Sequence, residues 1–159
     1  MRKTKGPDGA KLDDFICFAV YAAGHAFNRV YKPLLDELGL TYPQYLAMTA
    51  LWRQDDQTVG DLGGHLSLEY STLTPLLKRL EGLGMVSRRR DPQDERQVRV
   101  RLTAQGKALQ RRASGLPSCI QEASGLSEAD LKRLQADIVR LRESLDSYAA
   151  THASLADRP

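Results

Sequence analysis

The stretch Thr58–Thr103, TVGDLGGHLSLEYSTLTPLLKRLEGLGMVSRRRDPQDERQVRVRLT, decides the fold because its apolar period changes along its length. Val59, Leu62 and Leu66 recur at spacings of three and four, which predicts a short amphipathic helix. Ser67-Leu68-Glu69 interrupts it. Ser71 or Thr72 is then placed to cap a second helix, with Leu73, Leu76, Leu77, Leu80 and Leu83 on one face and Gly84 at its end. Two short helices on a tight connection make a helix-turn-helix. Next, Val98, Val100 and Leu102 alternate with Arg99 and Arg101, the period of a strand, and the run from Met85 to Arg90 can pair with it through a loop at Asp91–Glu95. The expected class is mainly α with a small β-hairpin wing, a winged helix-turn-helix.

The residues left over from packing point to double-stranded DNA. On the second helix they are Ser71, Thr72, Thr74, Pro75, Lys78 and Arg79, small at the front and basic behind. Such a face lets a helix approach the major groove closely while cations reach phosphates or guanine edges. Six arginines lie between Val86 and Arg101 against three acids, Arg88, Arg90, Arg96 and Arg99 among them. A narrow basic ribbon suits the minor groove, whose negative potential attracts inserted arginine. The bland alternative is a charged edge that discourages strand pairing. Its position directly after a helix-turn-helix favours DNA.

Outward from this segment, the 159 residues suit one domain, and 27% charged with 42% hydrophobic residues describe an ordinary soluble protein. No apolar run is long enough to span a bilayer, so no membrane partner is expected. A net charge of +3 is mild, and any nucleic-acid reading rests on where the arginines lie. Residues 1–11, MRKTKGPDGAK, lack the apolar core of a secretory signal and read as a disordered arm; the chain is expected to be cytoplasmic. Residues 12–159 form one domain, with 54–103 as the winged helix and 12–53 and 104–159 as a helical dimerisation region. Cys17 and Cys119 have no metal-ligand spacing, so no metal or cofactor is expected, and both begin as free thiols.

From Leu12 a helix apolar nearly all round, capped by Asp13 or Asp14, is expected to run to Pro33 and to be buried on most sides. A short segment, Leu34–Leu38, ends at Gly39, and Pro43 opens the helix to Arg53. Beyond Thr103 a helix reaches about Gly115, Pro117 interrupts, and a short helix holds Cys119. A capping box at Ser127–Asp130 precedes Leu131, Leu134, Ile138, Leu141 and Leu145. The two apolar ends read as the interface of a homodimer. Within LDDFICFAVY, residues 12–21, Cys17 is either a small core filler or a reactive thiol.

This order of elements, with the wing sequence Asp94-Glu95-Arg96, is similar to that of the MarR-type transcriptional regulators. DDFICFAVYAAGHAFNRVYKPLLDELGLTYPQYLAMTALW and TLTPLLKRLE resemble the organic-hydroperoxide-sensing branch of that family, in its two-cysteine subgroup, and the resemblance covers about Leu12 to Tyr148.

The resemblance implies that Cys17 is the peroxide-sensing cysteine, that Tyr31 and Tyr42 hydrogen-bond it, and that Cys119 resolves it as a disulfide between subunits. It also implies that Asp94 and Arg96 are the wing-tip pair, with Arg96 in the minor groove. Phe15, Phe18 and Phe27 would suit a peroxide with an organic tail. The expected function is a repressor that releases its operator on oxidation of Cys17. Two alternatives stay open: a regulator of the same fold responding to a small phenolic ligand with Cys17 inert, and a thiol peroxidase enzyme, for which the basic wing would have no purpose.

Overall fold

The computed structural model describes residues 11–156, with side chains described to residue 152. Most of the expected arm, residues 1–10, lies outside the described residues. The elements are a 3-10 turn at Leu12–Asp14, then α1 (Ile16–Asp36), α2 (Tyr42–Arg53), β1 (Gln57–Thr58), α3 (Val59–Leu66), α4 (Tyr70–Gly82), β2 (Val86–Arg90), β3 (Val98–Leu102), α5 (Ala104–Ala113), α6 (Leu116–Ser124) and α7 (Glu128–Ala156). The chain divides into two compact units, one up to Leu116 and one from Pro117.

The first unit is the winged helix-turn-helix, and its core is the leucine face of α4 closed by α2, α3 and the sheet. Met48, Leu51, Leu62, Leu73, Leu77, Leu80, Val86 and Val100 are fully buried. The wing pairs β2 and β3 antiparallel, Val86 opposite Leu102 and Arg90 opposite Val98. β1 adds a third strand beside β3, which two residues of a polar linker, Gln57 and Thr58, do not signal. Thr58 accepts from the Asp61 N–H and caps α3; Thr103 accepts from the Gly106 N–H and caps α5. Gly106 sits against β2: a Cβ there would lie 2.0 Å from the Met85 carbonyl oxygen, so only glycine fits.

Several boundaries differ from expectation. Asp13 and Asp14 belong to the 3-10 turn, where Asp14 accepts from the Lys11 N–H, and Phe15 is the N-cap of α1 without a side-chain bond. Pro33 does not end α1; the helix absorbs it and runs on through Leu34–Asp36 of the expected Leu34–Leu38 segment, with Leu35 buried in the core and Leu38 buried just beyond the Glu37 C-cap. Gly39, at φ +69°, then ends it, with the Leu40 N–H on the Leu35 carbonyl. Glu69, not Ser71 or Thr72, is the N-cap of α4, and Leu83 is 44% exposed rather than packed, since the helix has already ended. Pro117 does not interrupt; it lies in the first turn of α6, where its missing N–H costs nothing.

Of α1, only Leu35 is buried. Leu12, Phe15, Ile16, Val20, Tyr21, Phe27 and Val30 are exposed, which corrects the expectation that this helix is covered on most sides within its own chain. In the second unit, α7 begins on the expected cap, Ser127 with Asp130, and exposes Leu134, Ile138, Leu145 and Tyr148. No helix among the described residues is long and apolar enough to cross a membrane.

Candidate functional site

α4 presents the expected face. Ser71, Thr72, Pro75, Lys78 and Arg79 are exposed on the side opposite Leu73, Leu77 and Leu80, while Thr74 is half-buried with its hydroxyl oxygen shielded. The turn before it is tight. Ser67 takes the left-handed conformation at φ 53°, and the Leu68 N–H bonds the Gly63 carbonyl.

The wing arginines fall into four groups. Arg88 is committed to Glu81 at the end of α4: its backbone N–H donates to one carboxylate oxygen at 3.0 Å and its guanidinium to the other at 3.0 and 2.8 Å. That contact holds the Glu81 carboxyl below its usual range. Arg99 is committed to Asp56 at 2.7 Å and Asp91 at 3.1 Å, and Arg101 also reaches Asp56 at 2.7 Å. Hydrogen bonds from Arg101, then Arg99, bring the Asp56 carboxyl down to about 2. This carboxylate therefore keeps its charge, and the strands their clamp, until the pH falls from 3.8 toward 2. Arg96 stands at the tip, its side chain 93% exposed, with its backbone N–H donating to Asp94 at 3.1 Å. Arg89 and Arg90 are exposed.

The second set of residues lies along α1. Cys17 is the second residue of the helix and is exposed, as is Cys119 on α6; both are free thiols. Tyr31 and Tyr42 meet with ring centroids 4.8 Å apart, and Tyr45 joins them at 5.9 and 6.5 Å. Burial first, then the neighbouring phenols, push the Tyr31 hydroxyl up to about 12, so it stays a proton donor at neutral pH. Tyr31 and Tyr42 border a cleft of about 290 Å3, shared with Asn28, Lys32, Leu35 and Pro43. Within one chain, however, Tyr31 does not reach Cys17: the two are fourteen residues apart on one helix, about 21 Å at 1.5 Å per residue. Phe15 and Phe18 flank Cys17, whereas Phe27 lies near the tyrosines, ten residues or about 15 Å along. Among the described residues no His, Cys, Asp and Glu cluster could hold a metal.

Residues 29–112 match the family described as Transcriptional regulator SarA/Rot. The chain is 43% identical over 138 residues to the organic hydroperoxide resistance transcriptional regulator of Bacillus subtilis, covering 87% of this chain and 94% of the relative. It belongs to this family of winged-helix transcriptional regulators. Another relative, the HTH-type transcriptional regulator TtmR of Methylorubrum extorquens, is 42% identical over 151 residues, 95% of this chain and 77% of the relative. Among solved structures, reduced AbfR bound to DNA superposes with a TM-score of 0.74 at 33% identity, covering 86% of this chain and 94% of that one. These relatives carry the names of regulators, not enzymes, which sets the peroxidase alternative aside.

In this regulator the structure brings together the two tyrosines and the hairpin arginines, and it separates the tyrosines from Cys17 in the same subunit. Sequence reasoning left Asp56, Arg89 and Arg101 out of the candidate site. The alternation of Val98, Val100 and Leu102 was enough to place Arg101 outward; Arg89 needed the register across the hairpin. Nothing local marks Asp56, whose left-handed φ of 59° depends on its bonds to β3.

Proposed function

We propose that the regulator is a homodimeric DNA-binding repressor that senses organic hydroperoxides through Cys17. The observation that carries this is the spacing of Cys17, Gly24 and Tyr31 on one stripe of α1, seven residues apart each, among exposed apolar side chains. Gly24 is the midpoint, and open space surrounds the place its Cβ would occupy. If two copies of α1 cross antiparallel at Gly24 on a twofold axis, Cys17 of one faces Tyr31 of the other. Tyr42 follows because its ring packs against Tyr31, tilted at 45°. The same crossing carries the partner's Phe27 toward Phe15 and Phe18, giving the thiol an apolar wall suited to an organic tail.

The chemistry then balances as follows. The Cys17 thiolate, steadied by the first-turn N–H groups of α1 and by the tyrosine hydroxyls, attacks a peroxide oxygen. An S–O bond forms, the O–O bond breaks, and the departing alkoxide takes a proton to leave as alcohol. The resulting sulfenic acid is attacked by the Cys119 thiolate of the partner subunit, which releases water and closes a disulfide. Recognition helices about 34 Å apart in successive major grooves would be displaced by that bond, and the operator released.

Wild type should lose operator binding on treatment with cumene hydroperoxide, Cys17→Ser should keep it, and Cys119→Ser should lose the oxidised covalent dimer. Peroxide release retained in Cys17→Ser would end this reading. It would favour the second one, a small phenolic acid in the cleft beside Tyr31, Tyr42 and Lys32, for which that cleft is the supporting observation.

A further inference from the structure

Gln57 is a buried polar side chain that neither the leucine core nor the DNA-facing surface calls for. It is 2% exposed, and its backbone sits in β1 opposite Val100 of β3. Both N–H bonds of its amide are used: they donate to the Ala50 carbonyl at 3.0 Å and to the Gln54 carbonyl at 2.6 Å, in the last turn and at the C-cap of α2. That fixes which way the amide points, and its oxygen faces Nδ1 of His65, 2.9 Å away in the last turn of α3. An amide oxygen only accepts, so His65 carries a proton on Nδ1 and donates it to this bond. One residue thus joins the helix that begins at Tyr42, the first helix of the helix-turn-helix and, through its backbone, the wing strand.

Leu51 of α2 and Leu62 of α3 share the core, but apolar contacts have no preferred direction and let packed helices turn or slide. Hydrogen bonds have one, and three of them meet at this single buried amide. We propose that Gln57, held by His65, is the positioning residue that makes α3 follow α2, so that a displacement of Tyr42 at one end of α2 reaches the helix-turn-helix at the other, about 18 Å away at 1.5 Å per residue. A leucine could fill the same place; what the amide adds is direction. The trigger rests on the Cys17 reading above, whereas the joint itself does not.

Anisotropy gives the affinity for a duplex selected from a random pool by the reduced wild type, before and after cumene hydroperoxide, for wild type, Gln57→Leu, His65→Ala and His65→Asn. Non-reducing gels follow the oxidised dimer alongside. His65 is exposed, and an unchanged urea midpoint confirms that its variants fold. His65→Ala and Gln57→Leu should keep the reduced affinity within about twofold and form the same oxidised dimer. The fold loss of affinity on oxidation, however, should shrink by about 3- to 10-fold. His65→Asn, whose side-chain N–H can stand where Nδ1 did, should restore it. An undiminished loss in both His65→Ala and Gln57→Leu, with the dimer formed, overturns the joint. So does a fall in reduced affinity and urea midpoint with that ratio unchanged, the mark of a purely structural bond. A second readout needs no oxidant. Coupling is reciprocal, so DNA bound to the reduced protein must be felt at Tyr42. In protein labelled with 3-fluorotyrosine, the Tyr42 resonance, assigned with Tyr42→Phe, should shift on DNA binding in wild type and not in His65→Ala. A wild type that ignores peroxide yet shows this difference would end the Cys17 reading and keep the joint; equal shifts in both proteins would end the joint alone.

Discussion

The body from α2 to α5 and the first helix of the same unit treat their apolar residues in opposite ways. In the body, Met48, Leu51, Leu62, Leu73, Leu77 and Leu80 are sealed from solvent by one another. On α1, Ile16 is 67% exposed and Tyr21 64%. A domain that can close a core does not ordinarily leave so long an apolar stripe in water, because each large side chain kept exposed forgoes about 1.5–3 kcal/mol of burial. The body is thus closed on its own core, whereas α1 keeps an apolar stripe in water, the surface that the proposed function gives to a second chain. On that proposal, the chemistry of Cys17 becomes available only through assembly.

The comparison can be broken most sharply from the side of the body. Leu77→Ala removes a fully buried side chain at the centre of the helix-turn-helix, and equilibrium urea unfolding should report a loss of about 2–5 kcal/mol. Val20→Glu on α1 should do the reverse. Stability of the folded chain should change by no more than about 0.5 kcal/mol, while sedimentation should show monomers in place of the dimer proposed for the wild type. A Val20→Glu protein that unfolds outright would mean that α1 is part of one cooperative core after all. The smallest effect concerns the tyrosines between these two regions. Tyr31 ionises near 12, so its contribution to stability is complete below 10 and fades as the pH rises through 12. Absorbance titration of phenolate should show a late-ionising group that disappears in Tyr31→Phe.

What could be read from residues alone follows the same division. α3, α4 and the hairpin were legible because their apolar period is decided locally, by leucines three and four apart and valines two apart. The end of α1 was not, since Pro33 argues for a break and only the pull of Leu35 and Leu38 into the core overrides it. Ser71 and Thr72 look like caps in the sequence, yet α4 is capped two residues before Ser71, at Glu69, just after the left-handed Ser67 ends α3. Among the candidate site residues, Tyr31 lies against Tyr42 and Arg96 pairs with Asp94. The resemblance implies that Tyr31 bonds Cys17, but α1 holds the two fourteen residues apart within one chain, and the pairing between subunits is the proposal above. Arg88 and Arg99 looked free and are tethered, since their acids, Glu81 and Asp56, lie in other elements.

The tether between Glu81 and Arg88 bears on how binding ends. Three hydrogen bonds join the last turn of α4 to the first strand of the wing, so the helix and the hairpin cannot be tuned against each other. They travel as one rigid tool. On the proposed function, a small tilt of the body that lifts α4 from DNA would swing the wing tip at the same time, and both sets of contacts would be lost together. Dissociation governed in this way has no half-engaged resting state, which makes a modest change in subunit geometry act as a switch rather than a dial.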